Sequence, residues 1–203
     1  MYFCNDHYNN MKGRPSIHYD KELILNAQRI FWEKGFSGTS LADLSTATGA
    51  GAGSLYNKFK GGKKELFSKA LQQRTEEFEL FKQQLERSDQ PITLIKNFFL
   101  ELATSDEQKH LRGCIVANTL VEMTFIDEDL EQEAAKILKN TEHLFTSTIR
   151  KEQKKGALET TVNAQTLGRY LITFWCGINS LRRIYPDKHI LTEQINLHLS
   201  ILK

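Results

Sequence analysis

Cysteine, proline and long apolar runs are scarce in these 203 residues. The three cysteines, Cys4, Cys114 and Cys176, are odd in number and widely spaced, which excludes a disulfide framework and a paired-cysteine zinc site. The longest uncharged apolar stretch, residues 170–181, is shorter than the roughly 20 apolar residues that a membrane helix needs. Residues 1–14 are polar and lack the apolar segment of a secretory signal. We therefore expect a protein of the reducing cytoplasm with no membrane partner.

Motifs of metal sites and catalysis are also missing. The histidines at positions 7, 18, 110, 143, 189 and 198 form no i, i+4 pair, and Gly113 interrupts the spacing of His110 and Cys114. We find no trio of nucleophile, base and orienting residue. The stretch Gly49–Gly53 follows no apolar strand and precedes no Lys-Ser or Lys-Thr pair, so a nucleotide-binding loop is disfavoured. We predict no metal, no cofactor and no enzymatic activity.

The net charge of +2 is distributed unevenly along the chain. Residues 1–67 contain nine lysines and arginines against six acidic residues, whereas residues 68–203 contain eighteen against nineteen. Four of the lysines lie within residues 58–64 with no acidic residue among them. This asymmetry hints at an anionic partner for the first third of the chain, although a short lysine run is more often only a solvated surface.

The apolar residues predict an all-α fold, because they repeat at intervals of three and four almost everywhere. We expect a first helix with Asp20 as its N-cap and Gly35 at its end, and a second over residues 40–46 with Ser40 as its N-cap. Gly49 makes the next turn, and a third helix buries Leu55 and Phe59. A long fourth helix is predicted to begin at residue 63. Further helices are predicted over residues 92–104 and 113–125, over about 27 residues that end near residue 154, and over residues 163–185 and 190–202.

Two short helices joined by a glycine turn, over Ser40 to Phe59, indicate a helix-turn-helix. In such a unit the first helix braces against the DNA backbone and the second presents its N-terminal residues to base edges in the major groove. Small residues stand at the start of the second helix, and hydroxyls and lysines that could bind phosphate flank it. The pattern therefore favours double-stranded DNA as the partner.

Three spaced blocks of residues resemble the TetR/AcrR family of one-component bacterial regulators. They are Gly13–Pro15 with Ala27–Phe36, Thr39–Leu44, and Gly53–Phe67. The stretch Arg112–Asn118 is similar to a Gly-Cys-aliphatic block of one branch of the family. The resemblance implies an N-terminal arm (1–15), a helix-turn-helix domain (16–67), and a larger helical domain for ligand binding and dimerisation (68–203).

The resemblance also implies which residues contact DNA. The base-reading positions fall on Gly51, Ala52, Ser54 and Leu55, and the phosphate contacts fall on Thr39, Ser40, Tyr56, Lys58 and one of Lys63 or Lys64. Asn57 belongs to the same DNA-binding surface, and Arg14 is similar to a basic arm that enters a minor groove. Many family members have a basic or larger polar residue at the position of Ala52. Specificity is therefore expected to depend on Ser54, backbone approach, thymine methyl contacts and DNA shape.

The larger domain is expected to hold an apolar inducer pocket. The candidate lining residues are Phe98, Phe99, Leu102, Cys114, Asn118, Met123, Phe174 and Trp175. Cys114 has two interpretations that stay open here. It is either a small apolar residue that begins a packed helix, or a redox or electrophile sensor favoured by Arg112 and a helix N-terminus.

A symmetric dimer is expected through Asn163–Tyr185 and Ile190–Leu202, because both helices carry wide apolar faces. We predict a repressor that binds a palindromic operator and is released by a small apolar or amphipathic inducer. The alternative from another class is a helical enzyme or scaffold that shares the bundle.

Overall fold

The computed structural model describes residues 17–203, and the side chains of residues 20–203. This region confirms the all-α prediction. The ten α-helices of the described region are α1 (Ile17–Lys34), α2 (Leu41–Thr48), α3 (Ala52–Lys58), α4 (Gly62–Arg87), α5 (Pro91–Leu100), α6 (Glu107–Arg112), α7 (Ile115–Met123), α8 (Glu128–Lys154), α9 (Ala164–Leu181) and α10 (Lys188–Leu199), and a 3₁₀ helix (Glu101–Thr104) follows α5. None of these helices is long and apolar enough to cross a membrane.

The predicted caps of the first helices are mostly correct. Ser40 is the N-cap of α2, and Gly35 ends α1 with a φ of 74°. The start of α1 was predicted wrongly, because the helix already includes Ile17 and Asp20 lies in its first turn. There the Asp20 carboxylate pairs with Lys58, and a negative charge in a first turn is favourable in the field of the helix dipole.

Helix boundaries in the second half differ from the expected ones in several places, and α7 (Ile115–Met123) is shorter than the predicted 113–125. The short helix α6 was not predicted, although Asp106 caps it by accepting a hydrogen bond from the Lys109 N–H (2.8 Å). The helix predicted over residues 92–104 tightens to 3₁₀ geometry after Leu100. Helix α9 ends at Leu181 rather than at residue 185. Helix α10 spans 188–199 rather than 190–202, and its earlier start follows from Asp187, which is its N-cap.

Two buried clusters hold the helices together. The first joins α1, α2, α3 and the start of α4 to α7 and the first half of α8, and it includes Phe31, Phe67, Met123 and Leu130. The second joins the remainder of α4 and α8 to α5, α9 and α10. The boundary at residue 67 stays a prediction, because α4 runs unbroken through this position.

The apolar faces of α9 and α10, which were expected at the dimer interface, are mostly covered within the chain itself, and a dimer through these two helices stays a prediction. Six of the seven side chains that define those faces are buried in the chain's own second cluster: Leu167, Leu171, Phe174, Ile178, Leu191 and Ile195. Leu181 is the exception, with 49% of its surface exposed. An apolar stripe shows that a helix face is covered, and here helices of the same chain cover it.

A buried arginine fastens α6 to the end of α9. The Arg182 guanidinium is 4% exposed and donates hydrogen bonds to the backbone oxygen of Lys109 (2.8 Å) and to the Ser105 hydroxyl (3.2 Å). His110 is buried beside it, and burial is the main cause that lowers the pKa of this histidine, with the positive charge of Arg182 adding to the effect.

The buried histidine gives stability a pH dependence of known sign. The unfolded chain takes up a proton at His110 near pH 6.5, its usual value, whereas the folded chain resists protonation until a lower pH. We therefore expect the urea midpoint to fall between pH 7.5 and pH 5.5, and His110→Gln to remove more than half of that fall. The exposed His143→Gln is the control, and equal pH profiles for wild type and His110→Gln would contradict the assignment.

Candidate nucleic-acid interface

Helix α2 is fixed at its start by a reciprocal cap. The Ser40 hydroxyl oxygen accepts a hydrogen bond from the Asp43 N–H (3.1 Å), and the Asp43 carboxylate accepts one from the Ser40 N–H (2.9 Å). The Lys34 ammonium pairs with the same carboxylate and, more than Ser40, holds the pKa of Asp43 far below its usual range. Ser40 itself is exposed, so the start of α2 is both firmly positioned and accessible.

The turn between α2 and α3 brings the two helices into contact. Gly49 ends α2 with a φ of 68°, a left-handed conformation that glycine adopts without strain. Leu44 of α2 and Leu55 of α3 are buried at 1% and 4% exposure, together with Phe59 directly after α3. These side chains fix the orientation of α3, so its opposite face is held outward.

The outward face of α3 is narrow and open. Gly51 is the N-cap, and Ala52, Gly53 and Ser54 follow it with all four residues exposed. A Cβ atom added at Gly51 or Gly53 would meet no other atom within 4 Å. Farther along the helix, Tyr56 is 55% exposed and Asn57 is also exposed. The start of α3 therefore has the slender shape that entry into a major groove requires.

Two residues predicted to contact DNA are instead buried. Leu55 is 4% exposed and packs in the core of this helical unit, so its side chain is not available to base edges. Thr39 is 1% exposed, and its hydroxyl donates a hydrogen bond to the Gly35 backbone oxygen (2.6 Å). Both side chains stabilise the fold of this helical unit.

The lysines predicted for phosphate contacts are engaged within the protein. The Lys58 ammonium pairs with Asp20, and partial burial lowers the pKa of Lys58. The Lys63 ammonium donates hydrogen bonds to the backbone oxygens of Phe36 (2.9 Å) and Thr39 (3.0 Å). Lys58 is 26% exposed at its side chain, so phosphate would have to compete with the Asp20 carboxylate for it.

Lys64 points away from α3 toward the start of α8. Its ammonium pairs with Asp129 at 2.6 Å and with Asp127 at 2.9 Å, and hydrogen bonds to these carboxylates raise the pKa of Lys64. Of the lysine run, Lys60 is exposed just after α3, although the sequence did not single it out as a contact. Arg14, the predicted minor-groove arm, lies outside the described residues.

A small cavity lies among α4, α5, α7, α8 and α9. Its volume is about 130 Å³. Four of its twelve lining residues are aromatic, and the Phe98 ring stacks on Phe81 (centroids 4.8 Å apart) and on Trp175 (4.5 Å). The lining residues are Arg74, Glu77, Phe78, Phe81, Phe98, Cys114, Val116, Ile137, Leu138, Thr141, Ile172 and Trp175. An apolar cavity with a few polar groups is typical of a small-molecule site.

The structure places three of the eight predicted pocket residues at this cavity, namely Phe98, Cys114 and Trp175. The predicted role of the others is not supported. Phe99, Leu102, Met123 and Phe174 are buried in the two core clusters, and Asn118 lies in an open groove between α7 and α9.

Both described cysteines are free thiols. Cys114 is the N-cap of α7 and is 7% exposed. Burial raises the pKa of Cys176 to about 11, and the neighbouring Cys114 adds to the shift. Because thiols react as thiolates, the raised pKa makes Cys176 a poor nucleophile. A sensor role for Cys114 stays a prediction.

Comparison with family profiles identifies the protein family of this chain. The profile described as bacterial regulatory proteins, tetR family, matches residues 23–70, which contain α2 and α3. The profile described as tetracyclin repressor-like, C-terminal domain, matches residues 92–196, which are more than half of the chain. The chain belongs to the TetR family. It is a DNA-binding transcriptional regulator, which confirms the prediction that it is not an enzyme.

Individual relatives agree with the family assignment. The HTH-type transcriptional repressor DhaR of Mycobacterium sp. (strain GP1) is 27% identical over 165 residues, covering 77% of this chain and 78% of DhaR. The HTH-type transcriptional repressor ComR of Escherichia coli (strain K12) is 41% identical over 68 residues, covering 33% of this chain and 31% of ComR. A cysteine mutant of the TetR family regulator CifR, complexed with a 26-base-pair operator, shares the fold with a TM-score of 0.78. Its sequence identity is 22%, and the match covers 94% of this chain and 100% of that one.

This TetR family member also has contacts at its DNA-binding unit that sequence reasoning missed. Glu122 in α7 accepts hydrogen bonds from the turn between α1 and α2, and Asp127 and Asp129 bind Lys64. These acidic residues are separated from their partners by more than 60 positions. The local sequence around them contains no signal that could have paired them.

Proposed function

We propose that this chain is a repressor that binds a palindromic operator as a homodimer and is released by a small aromatic molecule. The observation that carries the proposal is the open face at the start of α3, held outward by the buried Leu44, Leu55 and Phe59. Acting on the chromosome of a bacterium, such a repressor works in the cytoplasm.

Direct contacts to bases come from the exposed residues of α3. The Ser54 hydroxyl and the Asn57 amide are the hydrogen-bonding groups there, while Gly51 and Ala52 allow the backbone to approach thymine methyl groups. The Tyr56 hydroxyl contacts phosphate at the flank of the groove, and Ser40 does so at the start of α2. With few side chains able to read bases, DNA shape contributes much of the specificity.

A dimer is needed because one short recognition helix buries too little surface to be specific. Two copies held about 34–36 Å apart read successive major grooves of a palindrome. The interface proposed here is the outer face of α9, where Thr173, Gly177 and Ser180 are exposed together with Leu181 and Ile184 at 49% and 61%. Small residues along such a stripe let two helices approach closely, and apolar neighbours make the contact favourable.

The inducer site is the aromatic cavity. A volume of about 130 Å³ suits a single ring, since an apolar cavity of about 150 Å³ takes up benzene. The stacked Phe98 and Trp175 favour a flat ring over an aliphatic chain. An aromatic ligand that binds better to a conformer with displaced helix-turn-helix units lowers the affinity for DNA. DNA lowers the affinity for the ligand by the same coupling free energy.

A panel of substituted benzenes tests the inducer site. We expect some of them to raise the thermal midpoint and to release DNA, and Trp175→Leu to weaken that release about tenfold because a stacking partner is lost. Thermal unfolding gives the midpoint, and fluorescence anisotropy of a duplex selected from random sequence by the wild-type protein gives the release of DNA. The exposed Phe125→Leu is the control, and release that survives Trp175→Leu unchanged would place the ligand elsewhere.

A further inference from the structure

The turn between α1 and α2 is held by a side chain from the larger helical region. The Glu122 carboxylate, at the C-terminal end of α7, accepts hydrogen bonds from the backbone N–H of Phe36 (2.9 Å) and of Ser37 (2.7 Å). Each carboxylate oxygen takes one of two successive N–H groups, so the contact fixes both the position and the orientation of the turn.

Gly35 makes this approach possible. A Cβ atom at Gly35 would lie 2.9 Å from one Glu122 carboxylate oxygen, and its φ of 74° disfavours other residues as well. On the other side of the turn, the Lys63 ammonium holds the backbone oxygens of Phe36 and Thr39 and lies 4.4 Å from the centre of the Phe36 ring. The turn is thus clamped from α7 and from α4, directly before the N-cap of α2.

The other end of α7 belongs to the aromatic cavity. Cys114, the N-cap of α7, and Val116 in its first turn both line that cavity. A helix of nine residues is only about 13 Å long at 1.5 Å per residue. A shift of α7 at the cavity therefore reaches Glu122 through one short, rigid element, and the ion pairs of Lys64 with Asp127 and Asp129 make a second link just beyond it.

We propose that Glu122 is a positioning residue for DNA binding. Its two hydrogen bonds set the α1–α2 turn and with it the placement of α2 and α3, so that operator affinity depends on where α7 lies. The inference rests on the proposed function, because it names the contact through which a ligand in the cavity changes the placement of α2 and α3.

The first test removes one acceptor of the clamp. In Glu122→Gln the amide group faces one of the two N–H donors, and we expect DNA binding about tenfold weaker and amide exchange at Phe36 and Ser37 about tenfold faster. The slope of affinity against salt concentration stays that of the wild type, because no phosphate contact is lost. The exposed Glu107→Gln in α6 is the matched control. Wild-type affinity and amide exchange in Glu122→Gln would overturn the inference.

The second test asks whether the cavity acts through this contact, which a purely structural glutamate would not show. Val116→Phe fills part of the cavity and is expected to weaken DNA binding about tenfold in the wild type, but less than twofold in Glu122→Gln. Val116→Ile is the milder variant, with a smaller effect in the same direction. Equal factors in both backgrounds, or no effect of either Val116 variant, would overturn the inference. Failure of the wild type to bind DNA would instead overturn the proposed function.

Discussion

Replacing Gly53 with glutamate is expected to abolish DNA binding while leaving the fold intact. A Cβ atom added at this position meets no atom within 4 Å, and a carboxylate in the first turn of α3 is favourable for the helix. Inside a major groove the same carboxylate faces phosphates on both sides, and like charges brought together cost several kcal/mol, so we expect a loss of at least about 100-fold. Fluorescence anisotropy measures the affinity, and thermal unfolding monitors the fold.

Gly53→Ala is the control for this substitution. It removes the conformational freedom of glycine from α3 and is expected to raise the free energy of unfolding by about 0.5–1 kcal/mol. Its methyl group is small enough to leave DNA affinity within a few-fold of the wild type. If Gly53→Glu bound the selected duplex as tightly as Gly53→Ala, the start of α3 would not lie in the groove.

Replacing Gly177 with arginine is expected to separate the proposed dimer. Gly177 is exposed in the middle of the outer stripe of α9, where an added Cβ would meet nothing within 4 Å of its own chain. A long cation there holds two such helices apart and places like charges together across the two-fold axis. We expect the mass in solution to fall to the 23.4 kDa of one chain. DNA affinity should drop about 100-fold or more, because two linked heads bind far more tightly than one.

The matched variant is Gln165→Arg, which adds the same charge to an exposed position of α9 away from this stripe. It should remain dimeric and bind DNA like the wild type. A Gly177→Arg protein with the mass and DNA affinity of the wild type would show that dimers form through another surface.

The helix-turn-helix was predictable because its signals are local. Ser40 and Asp43 stand three positions apart and form the cap, while Gly49 supplies a turn that most residues would strain. These short-range interactions depend little on the remainder of the chain. The same reasoning missed α6, because six residues are too few to show a helical period.

Partners that come from distant parts of the chain were not predictable. The stripe of Leu167, Leu171 and Ile178 was interpreted as a dimer face, but a stripe does not say whether it is covered by the same chain or by a second copy. A lysine run likewise shows positive charge without showing that Asp127 and Asp129 already bind Lys64. In both cases the role of the residue depends on partners that are close in space but distant in sequence.

Hydroxyl-radical footprinting on the duplex selected by the wild-type protein tests the central claim most directly. Two copies of the open face of α3, related by two-fold symmetry, predict two protected patches about one helical turn apart, with the DNA sequence of one patch repeated in inverted order in the other. Gly53→Glu should remove both patches together. A single protected patch, or two patches in direct repeat, would contradict a symmetric dimer that reads DNA through α3.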